Sequence, residues 1–589
     1  MTDGNGDLNF RWAATFADAF SQLGAGTACI SPGSRCTPLT LAFTHHPDFR
    51  CYSHVDERSA AFFALGRAKA SGLPSILICT SGTAGANYFP AVIEAFYSHV
   101  PMIICTADRP PELHRRGVNQ TIDQQHLYGN KVLWFKDVGL PQSINEPDEL
   151  TASIALEAYT QAMSSPQGPV HLNFPFRKPL EPGDSERLYQ LAHKLPKQNV
   201  SIEITSPATN VQDAEHISEL IRRDKAGVIL VGPNTIDRQT LEAILTLAGH
   251  AGYPVIADGL SQLRCGAFDY PWLCRYGSTF LRSPEFVKAA APDLILRFGR
   301  QPTTNVLNNY LATQDQAVQI LVNSTGDCDD ATRTLDEVIT ADPETFCQQV
   351  LRKIQSANIS RDREQWLSQF QAVDALVRTE LADLSGDFDT SGEVRIFREL
   401  LPLLPAGTDL MVSNSMPVRD FDFFAPAVAH AIRLHFNRGA SGIDGIVSTA
   451  FGIAAGKKSP TVLVTGDLAF YHDQNSLLLY RRYGIPLIII LIHNDGGGIF
   501  EMLPISRFER NYDEFIRTPH NLNFEPIVTA YDGKFEPVRT WHDFTGAVNR
   551  SLEEPVLSVI QVKTAPQESM RYRNEIWHTI ETLIQNQVL

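Results

Sequence analysis

Long apolar runs are missing from this 589-residue chain: nowhere do about 20 consecutive apolar side chains occur, the length that a helix needs to cross a bilayer. A membrane-spanning helix is excluded on that ground. Cysteine is sparse. There are nine, an odd number, with no Cys-x-x-Cys pair, and Cys79 and Cys105 lie inside apolar runs. That pattern reads as buried, reduced thiols rather than a disulfide framework or a sulfur-held metal. Basic charge is in deficit, with 50 Lys and Arg against 66 Asp and Glu and a net charge of -16. No basic face is segregated from this balance, which argues against nucleic acid and anionic lipid as partners. An anionic small molecule must then be met by arginines placed singly. The opening "MTDGNGDLNFRWAATF" lacks the basic region and apolar run of a secretory signal, and a cytoplasmic location is the expectation.

What the chain does have is a globular balance of 43% hydrophobic and 20% charged residues, and a length that implies about three domains. Short Val/Ile/Leu runs alternate with turns and amphipathic segments, the pattern of parallel sheets covered by helices. Strands are expected at 27–31, 75–80, 101–107, 227–232, 254–258, 293–299, 318–323, 461–467 and 486–494. The chain is therefore read as α/β, with three doubly wound parallel-sheet domains. The polar, proline-bearing tract 177–207 and the charged helical tract from about 350 to 385 suggest boundaries, giving domains 1–185, 186–360 and 361–589. A distant internal repeat relates the first domain to the third. Thr80 and Thr465 end apolar runs, Val100 and Ile485 open the next ones, and both pairs are offset by 385. The helices "RSAAFFALGRAKASG" and "DGIVSTAFGIAAG" precede them in step, so duplication is favoured over chance βαβ spacing.

Ligands of parallel sheets sit at the carboxyl ends of strands. Asp467 and Asn494 each follow an apolar run at once, and with the Gly496 carbonyl they form a hard-oxygen set that suits Mg²⁺. Magnesium keeps places for phosphate oxygens, so a diphosphate ligand is expected. Taken separately, Asp467 also reads as a helix cap and "NDGGG" as a turn. His45, His46 and His493 lack partners at ligand spacing and read as surface or hydrogen-bonded core residues.

Gly466-Asp467, 26 intervening residues and Asn494 resemble the signature of thiamine diphosphate enzymes, with Leu468 in place of its third glycine and Asp495 in place of its second asparagine. The resemblance implies the decarboxylase-like design, in which a pyrimidine-binding and a diphosphate-binding domain share one fold. It also implies thiamine diphosphate with Mg²⁺ or Mn²⁺ held by Asp467, Asn494 and Gly496, and cofactor contacts from Gly466 and Ile443. Glu57 matches the glutamate at N1′ of the cofactor's aminopyrimidine, its alternative being a solvated first-turn residue stabilised by the helix dipole. A site shared between subunits implies a homodimer or homotetramer.

The stretches "ISPGSRCTPLTLAF", "TSGTAGANYFPAVIEA", "TADRPPEL", "NQTIDQ", "SNSMPVRD" and "NRGASGIDG" resemble one branch of that family. It joins 2-oxoglutarate to isochorismate in menaquinone and phylloquinone biosynthesis. By that match Ser34, Arg35, Arg109, Gln120, Ser415, Arg419 and Arg438 line the substrate pocket, and Ile499 and Phe500 form an apolar wall. Arg419 is assigned to the 2-oxoglutarate carboxylate, and Arg35 and Arg109 to isochorismate. The basic segment that many relatives carry after the strand at 293–299 is replaced here by "RQPTTNVLNNY", with Arg300 as its candidate substitute. No Gly-x-Gly-x-x-Gly fingerprint occurs in the central domain, and no flavin is expected. The alternatives are an acetohydroxyacid synthase, a 2-oxoacid decarboxylase, or a non-catalytic nucleotide-sensing protein.

Overall fold

Runs such as Leu487–His493, buried at every position, cannot present a polar face to water and must be covered on both sides. In the computed structural model the described residues are 4–141, 147–184, 186, 210–234, 236–354, 360–384, 388–508 and 510–588. They build three sheets of six strands, and every strand pair in them is parallel. The first sheet holds β1 (Thr27–Ile30), β2 (Arg50–Ser53), β3 (Ser75–Cys79), β4 (Met102–Asp108), β5 (Trp134–Asp137) and β6 (Pro169–Pro175), in the order 2-1-3-4-6-5. The second holds β7 (Gly227–Val231), β8 (Val255–Ala257), β9 (Leu273–Cys274), β10 (Leu294–Phe298), β11 (Val318–Asn323) and β12 (Glu337–Thr340), in the order 12-11-10-7-8-9. The third holds β13 (Asp409–Val412), β14 (Arg433–His435), β15 (Thr461–Gly466), β16 (Leu487–His493), β17 (Lys534–Val538) and β18 (Leu557–Lys563), in the order 14-13-15-16-18-17.

All nine expected strands are present. The first and third sheets have one and the same strand order, as a duplication requires, while the second follows the separate doubly wound order 3-2-1-4-5-6. By contacts the chain parts into two compact units. One is Met1–Thr205 with Asn437–Lys457 and Ala469–Ile485; the other is Ser206–Phe436 with Lys458–Leu468 and Pro486–Leu589.

Within the first of these units the two small-residue helices of the repeat, Glu57–Ser71 and Ile446–Ala454, pack on each other. A Cβ on Gly66 would stand 2.1 Å from the Thr449 carbonyl oxygen, and one on Gly452 2.1 Å from that of Phe63. Only glycine permits backbones this close. Asp473, fully buried, accepts from Ser59 Oγ (3.3 Å) and from the N–H and hydroxyl of Ser448 (2.6 and 2.8 Å), tying the helices together.

In the second unit the tract near 350–385, expected to mark a boundary, is a packed element. Helix Arg361–Ala382 buries Trp366, Phe370, Val373, Val377 and Leu381 in a cluster with Val228, Leu230 and Ile256 of the second sheet, and Trp366 Nε1 donates to the Gly227 carbonyl at 2.9 Å. Its charges belong to the opposite face. Of the other expected boundary, 177–207, residues 185 and 187–207 lie outside the described residues.

The first sheet also predicts a pH effect. His171 on β6 is fully buried with Nε2 2.8 Å from Thr106 Oγ1, and burial holds its pKa down at about 3. The unfolded chain takes up that proton near 6.5, so between the two values it binds more protons than the folded chain, and stability falls as pH drops, by up to about 1.4 kcal/mol per pH unit. From pH 7 to 5 the wild type is therefore expected to lose about 2 kcal/mol more than His171→Gln in denaturant titrations. Equal losses would refute the assignment; titrations shared by both proteins cancel.

Candidate functional site

Three adjacent strands of the third sheet, β13, β15 and β16, end at one edge, with Val412 opposite Val464 and Gly466 opposite Ile492. The residues that follow them are Ser413–Ser415, Asp467 and Asn494, so the sheet itself gathers these side chains. Asp467 opens helix Asp467–Asp473 and is buried. Its Oδ1 accepts the N–H of Leu468 at 2.7 Å, and its Oδ2 those of Asp495 and Gly496 at 2.6 and 3.2 Å. Burial raises its pKa above the ordinary carboxylate range, against the charge of His520 and the Gly496 and Leu468 N–H groups.

The loop after β16 needs an unusual backbone to reach Asp467. Asp495 has φ 60°, and Gly496 has φ 135° with the Arg517 carbonyl 2.3 Å from where a Cβ would lie. A side chain at 496 is barred twice over. Ile499 and Phe500, both half-buried, continue the loop in the short helix Gly498–Met502. Ser415 sits at φ 72°, ψ -129°, a region that almost only glycine enters, and it receives the Arg419 Nη1 hydrogen bond on its carbonyl at 2.6 Å. Thus Ser415, Arg419, Gly466, Asp467, Asn494, Gly496, Ile499 and Phe500 all stand at or just beyond this edge.

The first unit holds the other expected residues. Ser34 and Arg35 form a turn after β1; Arg35 donates Nη1 to the Phe176 carbonyl at 2.7 Å and its N–H to Thr80 Oγ1 at 3.3 Å. Arg109 follows β4 and donates its N–H to Asp108 at 2.7 Å and its Nη1 to Ser81. Burial and the charge of Arg109 lower the Arg35 pKa, and the Nε of each arginine is buried without a partner among the described residues. Gln120, at φ 54°, lies over Gly82, 3.5 Å from where its Cβ would be. Ser34, Arg35, Arg109 and Gln120 are therefore brought to one end of the first sheet.

Glu57 opens helix Glu57–Ser71, half-buried, behind Asp56, whose Oδ1 accepts from the Arg58 and Ser59 N–H groups. Arg438 and Ile443, both half-buried, precede helix Ile446–Ala454. Between Ile443 and that helix, Gly445 has no room for a Cβ, which would lie 1.9 Å from the Phe62 ring.

Some expectations change. His493 does hydrogen-bond in the core, with Nδ1 2.6 Å from Gln561 Nε2, yet it also has neighbours at ligand spacing, because Asp467, His493 and His520 offer ligand atoms within 4.8 Å of one another. Sequence reading missed His520, whose Nε2 lies 3.2 Å from Asp467 Oδ2 and whose ring stacks on His493. No spacing rule links residues 467 and 520. Arg300, the candidate substitute for a basic segment, is paired with Asp329 at 3.2 Å.

The donor set fits a hard divalent cation: a buried carboxylate whose ion-pair partner among the described residues is a histidine, an asparagine whose amide nitrogen is already committed to Glu393 (2.9 Å), and an adjacent glycine carbonyl.

The chain matches the family described as thiamine pyrophosphate enzyme, N-terminal TPP binding domain, over residues 10–127, the middle domain of thiamine pyrophosphate over 187–412, and the C-terminal TPP binding domain over 429–562. Among solved structures it superposes on benzoylformate decarboxylase from Polynucleobacter necessarius with a TM-score of 0.70 at 16% identity, covering 94% of this chain and 98% of that one, a likeness of fold alone. It is 39% identical over 570 residues to 2-succinyl-5-enolpyruvyl-6-hydroxy-3-cyclohexene-1-carboxylate synthase of Geobacillus kaustophilus, covering 97% of each. The protein of that name from Haloquadratum walsbyi is 39% identical over 605 residues, covering 96% of this chain and 97% of its own. With such identity running end to end, the chain belongs to the 2-succinyl-5-enolpyruvyl-6-hydroxy-3-cyclohexene-1-carboxylate synthase family of thiamine pyrophosphate enzymes.

Proposed function

We propose that this protein uses thiamine diphosphate and Mg²⁺ or Mn²⁺ to release CO₂ from 2-oxoglutarate and join the remaining four-carbon unit to isochorismate, giving 2-succinyl-5-enolpyruvyl-6-hydroxy-3-cyclohexene-1-carboxylate for menaquinone or phylloquinone. The bound cofactor supplies the electron sink for decarboxylation and carries the nucleophilic carbon. Residues 1–185 serve as the pyrimidine-binding domain, 186–360 as the central domain and 361–589 as the diphosphate- and metal-binding domain, working as a homodimer or homotetramer in the cytoplasm.

The observation that carries the substrate assignment is the pair Arg35 and Arg109. Two guanidinium groups, Arg35 in the turn after β1 and Arg109 just after β4, each with a buried Nε that has no hydrogen-bond partner among the described residues, stand at one end of the first sheet in a protein with net charge -16. The buried carboxylate of Asp108 acts on both and offsets one of the two charges, which leaves one for an incoming anion to offset. A dicarboxylate such as isochorismate does so with planar, two-pronged bonds. Arg419 grips the carboxylate of 2-oxoglutarate, and Ser34, Gln120, Ser415 and Arg438 complete the polar lining. Ile499 and Phe500 exclude water from the reacting carbon. Asp467, Asn494 and the Gly496 carbonyl hold the cation, and Glu57 holds a proton at N1′ of the aminopyrimidine.

Mixing the protein with 2-oxoglutarate, isochorismate, thiamine diphosphate and Mg²⁺ is expected to consume isochorismate, seen as loss of its absorbance. An unchanged spectrum refutes the assignment, and CO₂ released from pyruvate in preference to 2-oxoglutarate favours a different thiamine enzyme.

A further inference from the structure

An asparagine binds a cation only through its oxygen, yet the two ends of its amide have nearly the same shape, so something must fix which end faces the ion. In this chain the fixing group is visible. Asn494 Nδ2 donates to Glu393 Oε1 at 2.9 Å, and an ionised carboxylate, having no proton to donate, cannot accommodate the reversed amide. Glu393 is itself immobilised. Oε1 also accepts from Thr564 Oγ1 at 2.8 Å, and Oε2 accepts from Arg573 Nη2 at 2.5 Å. Arg573 in turn forks onto Asp420, with Nε to Oδ1 at 2.8 Å and Nη2 to Oδ2 at 2.6 Å. Glu393, Arg573 and Asp420 are each no more than 2% exposed, and they come from three helices, Phe388–Leu400, Pro566–Gln587 and Met416–Phe424.

We propose that Glu393 is a positioning residue of the cation site: it holds the Asn494 amide with its oxygen toward the ion, and Arg573 holds Glu393. This rests on the reading of Asp467 and Asn494 as cation ligands. Two buried carboxylates share the Arg573 guanidinium here, and the charge of Arg419 also acts on Asp420. The far end of this network, Asp420, neighbours Arg419 on helix Met416–Phe424, so the same hydrogen bonds fix the helix that presents the substrate arginine.

The test is Mn²⁺ affinity in the presence of thiamine diphosphate, read from the electron paramagnetic resonance of free Mn²⁺. In Glu393→Gln the new amide has one acceptor and one donor where Asn494 and Arg573 both need acceptors, and Mn²⁺ binding is expected to weaken by ~10- to 100-fold, the usual effect of losing a group that orients a ligand. The remaining Arg573–Asp420 pair keeps the fold, checked by circular dichroism. The double variant Glu393→Gln/Asn494→Asp reverses the hydrogen bond: the introduced glutamine donates to the introduced aspartate and accepts from Arg573, at unchanged net charge. It is expected to regain most of the lost affinity. The proposal is overturned if Glu393→Gln binds Mn²⁺ as the wild type does, or if Asn494→Asp alone binds as well as the double variant. A wild type that binds no Mn²⁺ with thiamine diphosphate overturns the cation reading and this one together, whereas a wild type that binds and a variant that matches it overturn only this one.

Discussion

The Asp467→Ala protein is expected to turn over no isochorismate and to bind Mn²⁺, with thiamine diphosphate present, more than ~100-fold more weakly than the wild type, beyond what losing a merely orienting group costs. Two effects combine. On the proposed reading the change removes the charged ligand, and it strips the Asp495 and Gly496 N–H groups of their acceptor, leaving the loop after β16 without the anchor that sets its backbone. Asp467→Asn separates the two. It keeps the shape and one acceptor oxygen, which can go on accepting the Asp495 and Gly496 N–H groups at the loss of the Leu468 N–H bond, so the loop keeps its anchor while the charge is lost. If the asparagine variant binds Mn²⁺ as well as the wild type, Asp467 is a helix cap and loop anchor, and the cation sits elsewhere.

The sequence made the interior of the fold legible for a physical reason. Strands covered on both faces must be apolar throughout, as in Leu487–His493, and such runs stand out against the segments around them. Edge strands do not. β2, β5, β14 and β17 are partly exposed and read as ordinary polar chain. β6, β13 and β18 escaped although they are buried: polar residues interrupt their apolar runs, and in β6 His171 Nε2 and the Asn173 amide find Thr106 and Asp108 across the sheet, a partnership invisible along one strand. In the tract near 350–385, charge on the outer face of helix Arg361–Ala382 stands out in the sequence over the stripe of Trp366, Phe370, Val373, Val377 and Leu381 that packs at helical spacing.

The same contrast runs through the site. Asp467 and Asn494 were legible because each follows a strand directly, and strand ends are where ligands gather. Glu393, Arg573, Asp420 and His520 act through three-dimensional neighbours, some 180 residues apart in sequence, as with Glu393 and Arg573, and no local pattern marks them. The arginines lie between: Arg35 and Arg109 stood in recognisable motifs, but their mutual approach and unpartnered Nε atoms belong to the folded sheet alone.

Glu57→Gln is the complementary expectation, because it separates chemistry from stability. Glu57 occupies the first turn of its helix, where a carboxylate contributes about 0.3–1 kcal/mol through the helix dipole. The cap proper is Asp56, which accepts the Arg58 and Ser59 N–H groups at 2.8 and 3.3 Å and receives Asn475 Nδ2 at 2.6 Å. Replacing Glu57 by its amide leaves all three bonds in place, so a purely structural role predicts a slight loss of stability and ordinary turnover. A carboxylate that holds a proton at the aminopyrimidine predicts the opposite split: kcat lower by ~10²- to 10⁴-fold, the range of acid–base contributions, with Mn²⁺ affinity and unfolding midpoint nearly unchanged. Exchange of the cofactor's thiazolium C2 proton with deuterium, followed by NMR, should slow in parallel with kcat. Turnover within about tenfold of the wild type, below the smallest such contribution, would remove Glu57 from the reaction and return it to the helix.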